Sequence, residues 1–244
     1  MSVPAIFDKM RLPIIGSPLF IISQPELVIA QCKAGIVGSF PSLNARPASQ
    51  LDEWLDQITS ELDSYNKANP DRPAAPFAVN QIVHKSNDRL DYDVEMCVKY
   101  KVPFVITSLG AREEVNQAIH SYGGVVMHDI INVVFAHKAL EKGADGLIAV
   151  AAGAGGHAGK LSPFALIQEI REFFDGPLAL SGSIANGGAV AAAQAMGADF
   201  AYMGSAFIAC DEAVAVDGYK DMIVDSAAKD IVYSNLFTGV HGNY

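Results

Sequence analysis

The stretch Gly146-Leu-Ile-Ala-Val-Ala-Ala-Gly-Ala-Gly-Gly-His-Ala-Gly159 decides how the rest of the chain is read. Its first seven residues form an apolar run suited to a buried strand, with no polar residue to mark a solvent face. The following loop, Gly153 to Gly159, has glycine at four of its seven positions. Such a backbone can approach a ligand closely, because few Cβ atoms stand in the way. One side chain in the loop can move a proton near neutrality, and it is His157. Gly153, Gly155 and Ala158 also fit the G-x-G-x-x-A pattern of a dinucleotide fingerprint. That pattern requires a helix opening directly from the loop and an acid at the end of the next strand. Here Leu161-Ser162-Pro163 intervenes, and the next apolar run, Pro177 to Gly182, carries no acid. A Rossmann reading is therefore rejected.

Outward from this loop, apolar and β-branched runs alternate with helical patterns along the whole chain. The patterns predict strands at about Leu12–Ser17, Ile36–Phe40, Phe77–Gln81, Phe104–Ser108, Val125–Asp129, Gly146–Ala151, Leu178–Ser181 and Phe200–Met203. Helices are predicted at Pro25–Lys33, Ala48–Ser64, Val94–Tyr100, Glu113–Tyr122, Val133–Lys142, Pro163–Phe174 and Gly187–Met196. Glycines 35, 143 and 197 sit where helices end before a strand. Eight strands with helices between them, in 244 residues, match an α/β fold of the (β/α)8 TIM-barrel type as one domain over residues 1–244. A doubly wound sheet is the alternative, disfavoured by short helix-to-strand connectors and an alternation that stays regular to the end. Trp54, with Leu51, Leu55 and Ile58, forms a helical core stripe.

Composition narrows the function classes. Half of the residues are hydrophobic, and 27 acids against 17 Lys and Arg leave a net charge of −10. That argues against a nucleic-acid surface, which needs clustered cations. No apolar run approaches a membrane span, and the N-terminus lacks the order of a secretory signal, so the chain is expected in the cytoplasm. Cys32, Cys97 and Cys210 are far apart and are read as buried free thiols. His84, His120, His137 and His241 lack metal-ligand spacing, and no metal site is expected.

Working residues of such barrels lie at the carboxyl ends of the strands. The unusual residues fall there: Ser17-Pro18, Asn80-Gln81, Ser108, His128-Asp129, the His157 loop, Ser181-Gly182-Ser183 and Met203-Gly204-Ser205. Small residues after the seventh and eighth strands suit a phosphate held by backbone N–H groups.

At these positions the chain resembles the nitronate monooxygenase family, formerly 2-nitropropane dioxygenase. The resemblance is carried by Pro13-Ile-Ile-Gly-Ser-Pro18, the Ala154–Gly159 loop, Ala179–Gly187 and Gly197–Ser205. The same pattern is similar to flavin-dependent enoyl-ACP reductases and NADH:quinone reductases. The resemblance implies an FMN held in a TIM barrel. Ser17, Pro18 and Leu19 would lie against the flavin, and Asn80 and His128 would contact it. Gly182, Ser183, Gly204 and Ser205 would bind its phosphate, Gly155 and Gly156 would shape the loop, and His157 would be catalytic. It further implies oxidation of alkyl nitronates or nitroalkanes with O2 to carbonyl compounds and nitrite. An NAD(P)H-dependent reductase on the same barrel, or a flavin-binding barrel without turnover, are the alternatives. Three departures stand out: Ser183 where many members have glycine, Gly153 where some have an acid, and Asp129 where some have lysine. The resemblance further implies a C-terminal extension that is expected to be short or missing here, which would expose apolar surface near the mouth and favour a homo-oligomer.

Overall fold

The structure, a computed structural model, describes residues 3–157, 159–237, 239 and 241–244; of His157 it describes the backbone alone. Eight parallel strands form the barrel: β1 (Ile14–Gly16), β2 (Gly38–Pro41), β3 (Phe77–Ile82), β4 (Phe104–Ser108), β5 (Val125–Ile130), β6 (Gly146–Val150), β8 (Leu178–Ser181) and β9 (Phe200–Met203). A two-residue strand, β7 (Gly156–His157), interrupts the count inside the glycine-rich loop. Around the barrel stand α1 (Pro25–Ala34), α2 (Gln50–Ala68), α3 (Leu90–Lys99), α4 (Glu113–His120), α5 (Val133–Glu141), α6 (Pro163–Arg171) and α7 (Gly187–Ala195). After β9 come the single turn α8 (Ser205–Ile208), α9 (Asp217–Asp225) and the antiparallel pair β10 (Tyr233–Ser234) and β11 (Gly242–Asn243). This is the (β/α)8 barrel that the alternation predicts.

Neighbouring strands pair in the order β1-β9-β8-β6-β5-β4-β3-β2. The cylinder closes between β1 and β2 through one bridge, Ile15 to Val37, where the Gly16 amide donates to the Val37 carbonyl at 2.8 Å. Side chains alternate across the wall. Ala78, Phe104, Ile106, Met127, Ile148, Ala179 and Phe200 fill the barrel, while Val79, Val105, Val126, Leu147 and Ala149 meet the helices. Strands buried on both faces explain the unbroken apolar runs in the sequence. Phe7, in a short 3-10 helix over Ala5–Lys9, plugs the amino end against Phe104 (5.4 Å between centroids) and Phe200 (4.9 Å). Trp54, Leu51, Leu55 and Ile58 are buried under α2 as the stripe predicts.

Helix ends follow the sequence signals. Gly35, Gly143 and Gly197 adopt φ of 88°, 87° and 109°, a region where a Cβ is unfavourable. Asn132 and Asn186 cap α5 and α7, each accepting from an amide three residues on. Cys32 and Cys97 are buried, and burial pushes both thiols up to about 12. Cys210 is half-exposed, contrary to the expectation of three buried thiols. It follows the single-turn α8, and Lys220 of α9 donates to its carbonyl at 2.7 Å without burying it. Among the described residues, no helix is long and apolar enough to cross a membrane.

Candidate active site at the carboxyl ends of the strands

Alternation along the strands sorts the candidate residues. Asn80 shares the inward face of β3 with Ala78, and Ser108 shares that of β4 with Ile106. Asn80 Nδ2 donates to Ser108 Oγ at 2.7 Å and to the Ile106 carbonyl at 3.2 Å. Asp129 follows Met127 onto the same inward face, beside Ser108. Tyr202 follows Phe200 inward from β9 and feels the Asp129 charge. Asn80, Ser108, Asp129 and Tyr202 thus make a polar well above the apolar filling of the barrel.

Burial pushes the Asp129 carboxyl up to about 6, although hydrogen bonds from Ser108 and the Leu109 amide pull the other way. No described basic side chain pairs with it. Burial, reinforced by Asp129, also raises the Tyr202 phenol well above its ordinary value. His128 stands one residue out of step. It shares the helix-facing side of β5 with Val126, and its Nδ1 lies 2.7 Å from Thr107 Oγ1. Burial lowers its pKa to about 4, so it is neutral at pH 7. The inward residue at this point of β5 is Asp129. Counting by twos from Val125 and Met127 would have found it.

The loop after β1 lies against the turn after β9: a Cβ on Gly204 would come within 3.0 Å of Ser17 Oγ and 3.3 Å of Leu19 Cδ2. The structure therefore brings Ser17, Leu19, Gly204 and Ser205 together, with Pro18 between the first two. Asn44, which the sequence reading passed over, holds this loop. Its amide donates to the carbonyls of Leu19 (3.0 Å) and Ser23 (2.9 Å), and its oxygen accepts from the Ile21 amide. Asn44 is held in turn by Arg89, which donates to the Ala45 carbonyl at 2.7 Å and pairs with the buried Asp93 at 2.9 Å.

The turn after β8 is tighter. A Cβ on Gly182 would meet the Ala152 carbonyl at 2.7 Å, so glycine is required there. Ser183 adopts φ of 53°, and its amide donates to the Gly153 carbonyl at 3.0 Å. That donor is engaged inside the protein, and Ser183 Oγ leans on the same carbonyl at 3.3 Å. Near this turn, the first-turn amides of Gly187 and Gly188 lack intrahelical acceptors, while the Ala189 amide is capped by Asn186. The first-turn amides of α8, around Gly204 and Ser205, are equally free of intrahelical acceptors.

At Gly155 and Gly156 an added Cβ would meet nothing within 4 Å. Protein packing therefore does not demand glycine at Gly155, and the open space suits a ligand. Gly155 bridges to Asn243, whose side-chain amide donates to the Ala154 carbonyl at 2.7 Å. The end of the chain is thus tied to this loop. The His157 side chain lies outside the described residues.

A (β/α)8 barrel with open glycine turns around a polar well at its carboxyl ends has the form of a flavin-dependent oxidoreductase. The chain belongs to the nitronate monooxygenase family, whose sequence profile matches residues 5–242. It is 25% identical to the nitronate monooxygenase of Paraburkholderia phytofirmans, over 93% of this chain and 71% of that one. It is 23% identical to an indene-carboxyl-CoA dehydrogenase of Rhodococcus jostii, over 93% of this chain and 61% of that one. The fold superposes on the nitroalkane oxidase of Streptomyces ansochromogenes with a TM-score of 0.85 at 23% identity, covering 98% and 78% of the two chains. FabK from Thermotoga maritima gives 0.83 at 26% identity, covering 98% and 72%. The chain spans only part of the length of each.

Proposed function

We propose that the protein binds FMN and oxidises alkyl nitronates with dioxygen to carbonyl compounds and nitrite. The observation that carries this reading is the open space at Gly155 and Gly156 beside an inward polar well, in a chain of the nitronate monooxygenase family. Ser17, Pro18 and Leu19 would line the flavin, and Asn80 would hydrogen-bond its ring system. Gly204 and Ser205 would bind its phosphate through backbone amides, joined by Gly187 and Gly188 at the start of α7. Gly182 and Ser183 would shape that cradle by their tight turn rather than donate the Ser183 amide. His128 would act from behind the wall, through Thr107, and not by direct contact. The bound flavin supplies electron acceptance and the reaction with dioxygen.

The remaining chemistry belongs to the side chains. The His157 imidazole would take the α-carbon proton of a neutral nitroalkane, or stabilise the charge of a substrate that is already ionised. Asp129, ionised at pH 7, places a negative charge on the inner wall of β5. An anionic substrate is therefore directed away from that wall and toward the glycine-rich loop.

Similarity to FabK from Thermotoga maritima, at 26% identity, supports a second reading as an NAD(P)H-dependent reductase. Anaerobic mixing separates the readings. Bleaching of the flavin by ethyl nitronate but not by NADH is the expected result. Bleaching by NADH alone would establish the reductase, and bleaching by neither would leave a binding barrel without turnover. The flavin itself is checked by releasing it with heat and separating it chromatographically, with FMN expected and FAD the overturning result.

A further inference from the structure

A second cleft lies beside the mouth of the barrel and shares no residue with the polar well. It has a volume of about 550 Å³ and is lined by Ile131, Asn132, Gly159, Lys160, Leu161, Tyr233, Gly239 and His241. That size falls within the range of about 300–1,000 Å³ for small-molecule sites. Its walls come from three segments far apart in sequence: the start of α5, the chain just after β7, and the β10–β11 hairpin.

The cleft is built rather than accidental. Its floor requires glycine at Gly159, where a Cβ would collide with the Val150 carbonyl at 2.1 Å. Tyr233 and His241 stack across the hairpin with centroids 5.2 Å apart, which fixes the His241 ring. The amides of Val232 and Tyr244 each donate to the other's carbonyl, at 2.8 and 2.9 Å, and close the hairpin behind it.

The charge pattern is the decisive feature. The protein carries a net charge of −10, yet no Asp or Glu lines this cleft. Lys160 lines it, and among the described residues it makes no ion pair. Ile131, Leu161 and the Tyr233 ring supply apolar wall on either side. A cation with apolar flanks, in a surface otherwise rich in acids, selects a ligand with one anionic group and a hydrocarbon body.

We propose that this cleft binds an organic carboxylate with an apolar chain, its anion on Lys160 and its hydrocarbon along Ile131, Leu161 and Tyr233. The site stands apart from the flavin reading and does not depend on it. Its position also gives it a route to the glycine-rich loop. Gly159 follows His157 by two residues, and β11, next to His241, runs beside β7. A bound carboxylate therefore braces both segments that flank the His157 backbone.

Titration calorimetry with octanoate, octan-1-ol and inorganic phosphate tests the assignment on the full chain. Saturable octanoate binding is expected, weakened about tenfold or more by Lys160→Gln, as loss of a charge-assisted contact predicts. Octan-1-ol should bind wild type and Lys160→Gln alike, and phosphate should bind far more weakly than octanoate. Hydrogen exchange should slow at residues 153–161 and 241–244 when octanoate is added. FMN quenching, measured on the same samples, should be the same in Lys160→Gln, so failure of the flavin reading is seen separately. Octanoate affinity unchanged by Lys160→Gln, absence of saturable octanoate binding, or phosphate binding as tightly as octanoate would each overturn the proposal.

Discussion

At the amino end of the barrel, Arg171 donates to the carbonyls of Gly197, Phe174 and Gly176 and pairs with Asp199, which also accepts from the Leu178 amide. At the carboxyl end, Asp129 faces the barrel axis without a basic partner among the described residues. The apolar groups differ in the same way. Phe7 is buried against two aromatic rings at the amino end, whereas at the carboxyl end Phe20, Ile21 and Leu109 stand exposed in loops, and Phe135 and Phe164 in the first turns of α5 and α6. Of the four non-glycine residues with positive φ among the described residues, Ile21, Leu109 and Ser183 lie on that side and Lys101 on the other. Satisfied groups stabilise one end. A carboxylate without a basic partner and strained backbone mark the other, the end where barrels of this type place their working residues.

Substitutions at the two ends should therefore separate stability from activity. The largest effect is expected at His157. His157→Asn should lower turnover of a neutral nitroalkane by roughly 10²–10⁴-fold, the usual worth of a positioned base, with unchanged thermal unfolding. The loss should be smaller with the pre-ionised nitronate, and steady-state rates on both substrates check it. Equal loss on both would assign His157 to charge stabilisation instead.

Phe7→Ala should do the reverse. Emptying the plug should cost about 3–4 kcal/mol in denaturant unfolding, while activity per folded molecule stays at the wild-type level. A drop in activity of the folded fraction would show that the two ends are coupled.

Asp129 sharpens the contrast through pH. Its folded pKa, about 6, lies above the ordinary carboxylate value of 3.8, so the folded state holds the proton more tightly. The stabilisation is complete below the unfolded value and is lost as pH rises through about 6. Between pH 4 and pH 7 wild type should lose about 2 kcal/mol relative to Asp129→Asn, read from unfolding midpoints at the two pH values. Parallel pH profiles would mean that the carboxyl is fully solvated.

The smallest effect is expected at Leu109, exposed and at φ of 63°. Leu109→Gly should raise stability by up to about 1 kcal/mol by releasing left-handed strain. A loss of stability would show that the apolar side chain is covered in solution. Light scattering on the same protein would identify a second copy as the cover, as the exposed Leu236 and Phe237 also suggest.

Much of this architecture was legible because doubly buried strands write continuous apolar runs, and helix ends write glycine. β4 and β8 coincide with the predicted strands, and β1 is shorter than Leu12–Ser17 because Leu12 bends ahead of the ladder, its amide donating to the Gly35 carbonyl and its carbonyl accepting from the Ile14 amide. Other features left weaker marks. α9 has no buried residue and hence no apolar stripe to read. Asn44 and Arg89 act through hydrogen bonds between residues distant in sequence, which no local pattern encodes. His128 drew attention over Asp129 because an imidazole looks chemical, yet a one-residue step along a strand reverses the side of the wall.

The barrel wall has one thin seam. β3 and β4 match along five residue pairs, while β1 and β2 share one backbone bridge, Ile15–Val37, and a hydrogen bond from Ser39 Oγ to the Gly16 carbonyl. A hoop under thermal stress widens where its fastening is shortest, so the cylinder should breathe as a clasp that parts and recloses between these two staves. Ser17, Pro18 and Leu19 ride on one lip of that clasp, and Asn44 reaches across to them from the other. The Asn44 amide group thus works as a latch, making the looseness of the wall and the shape of the mouth a single mechanical variable.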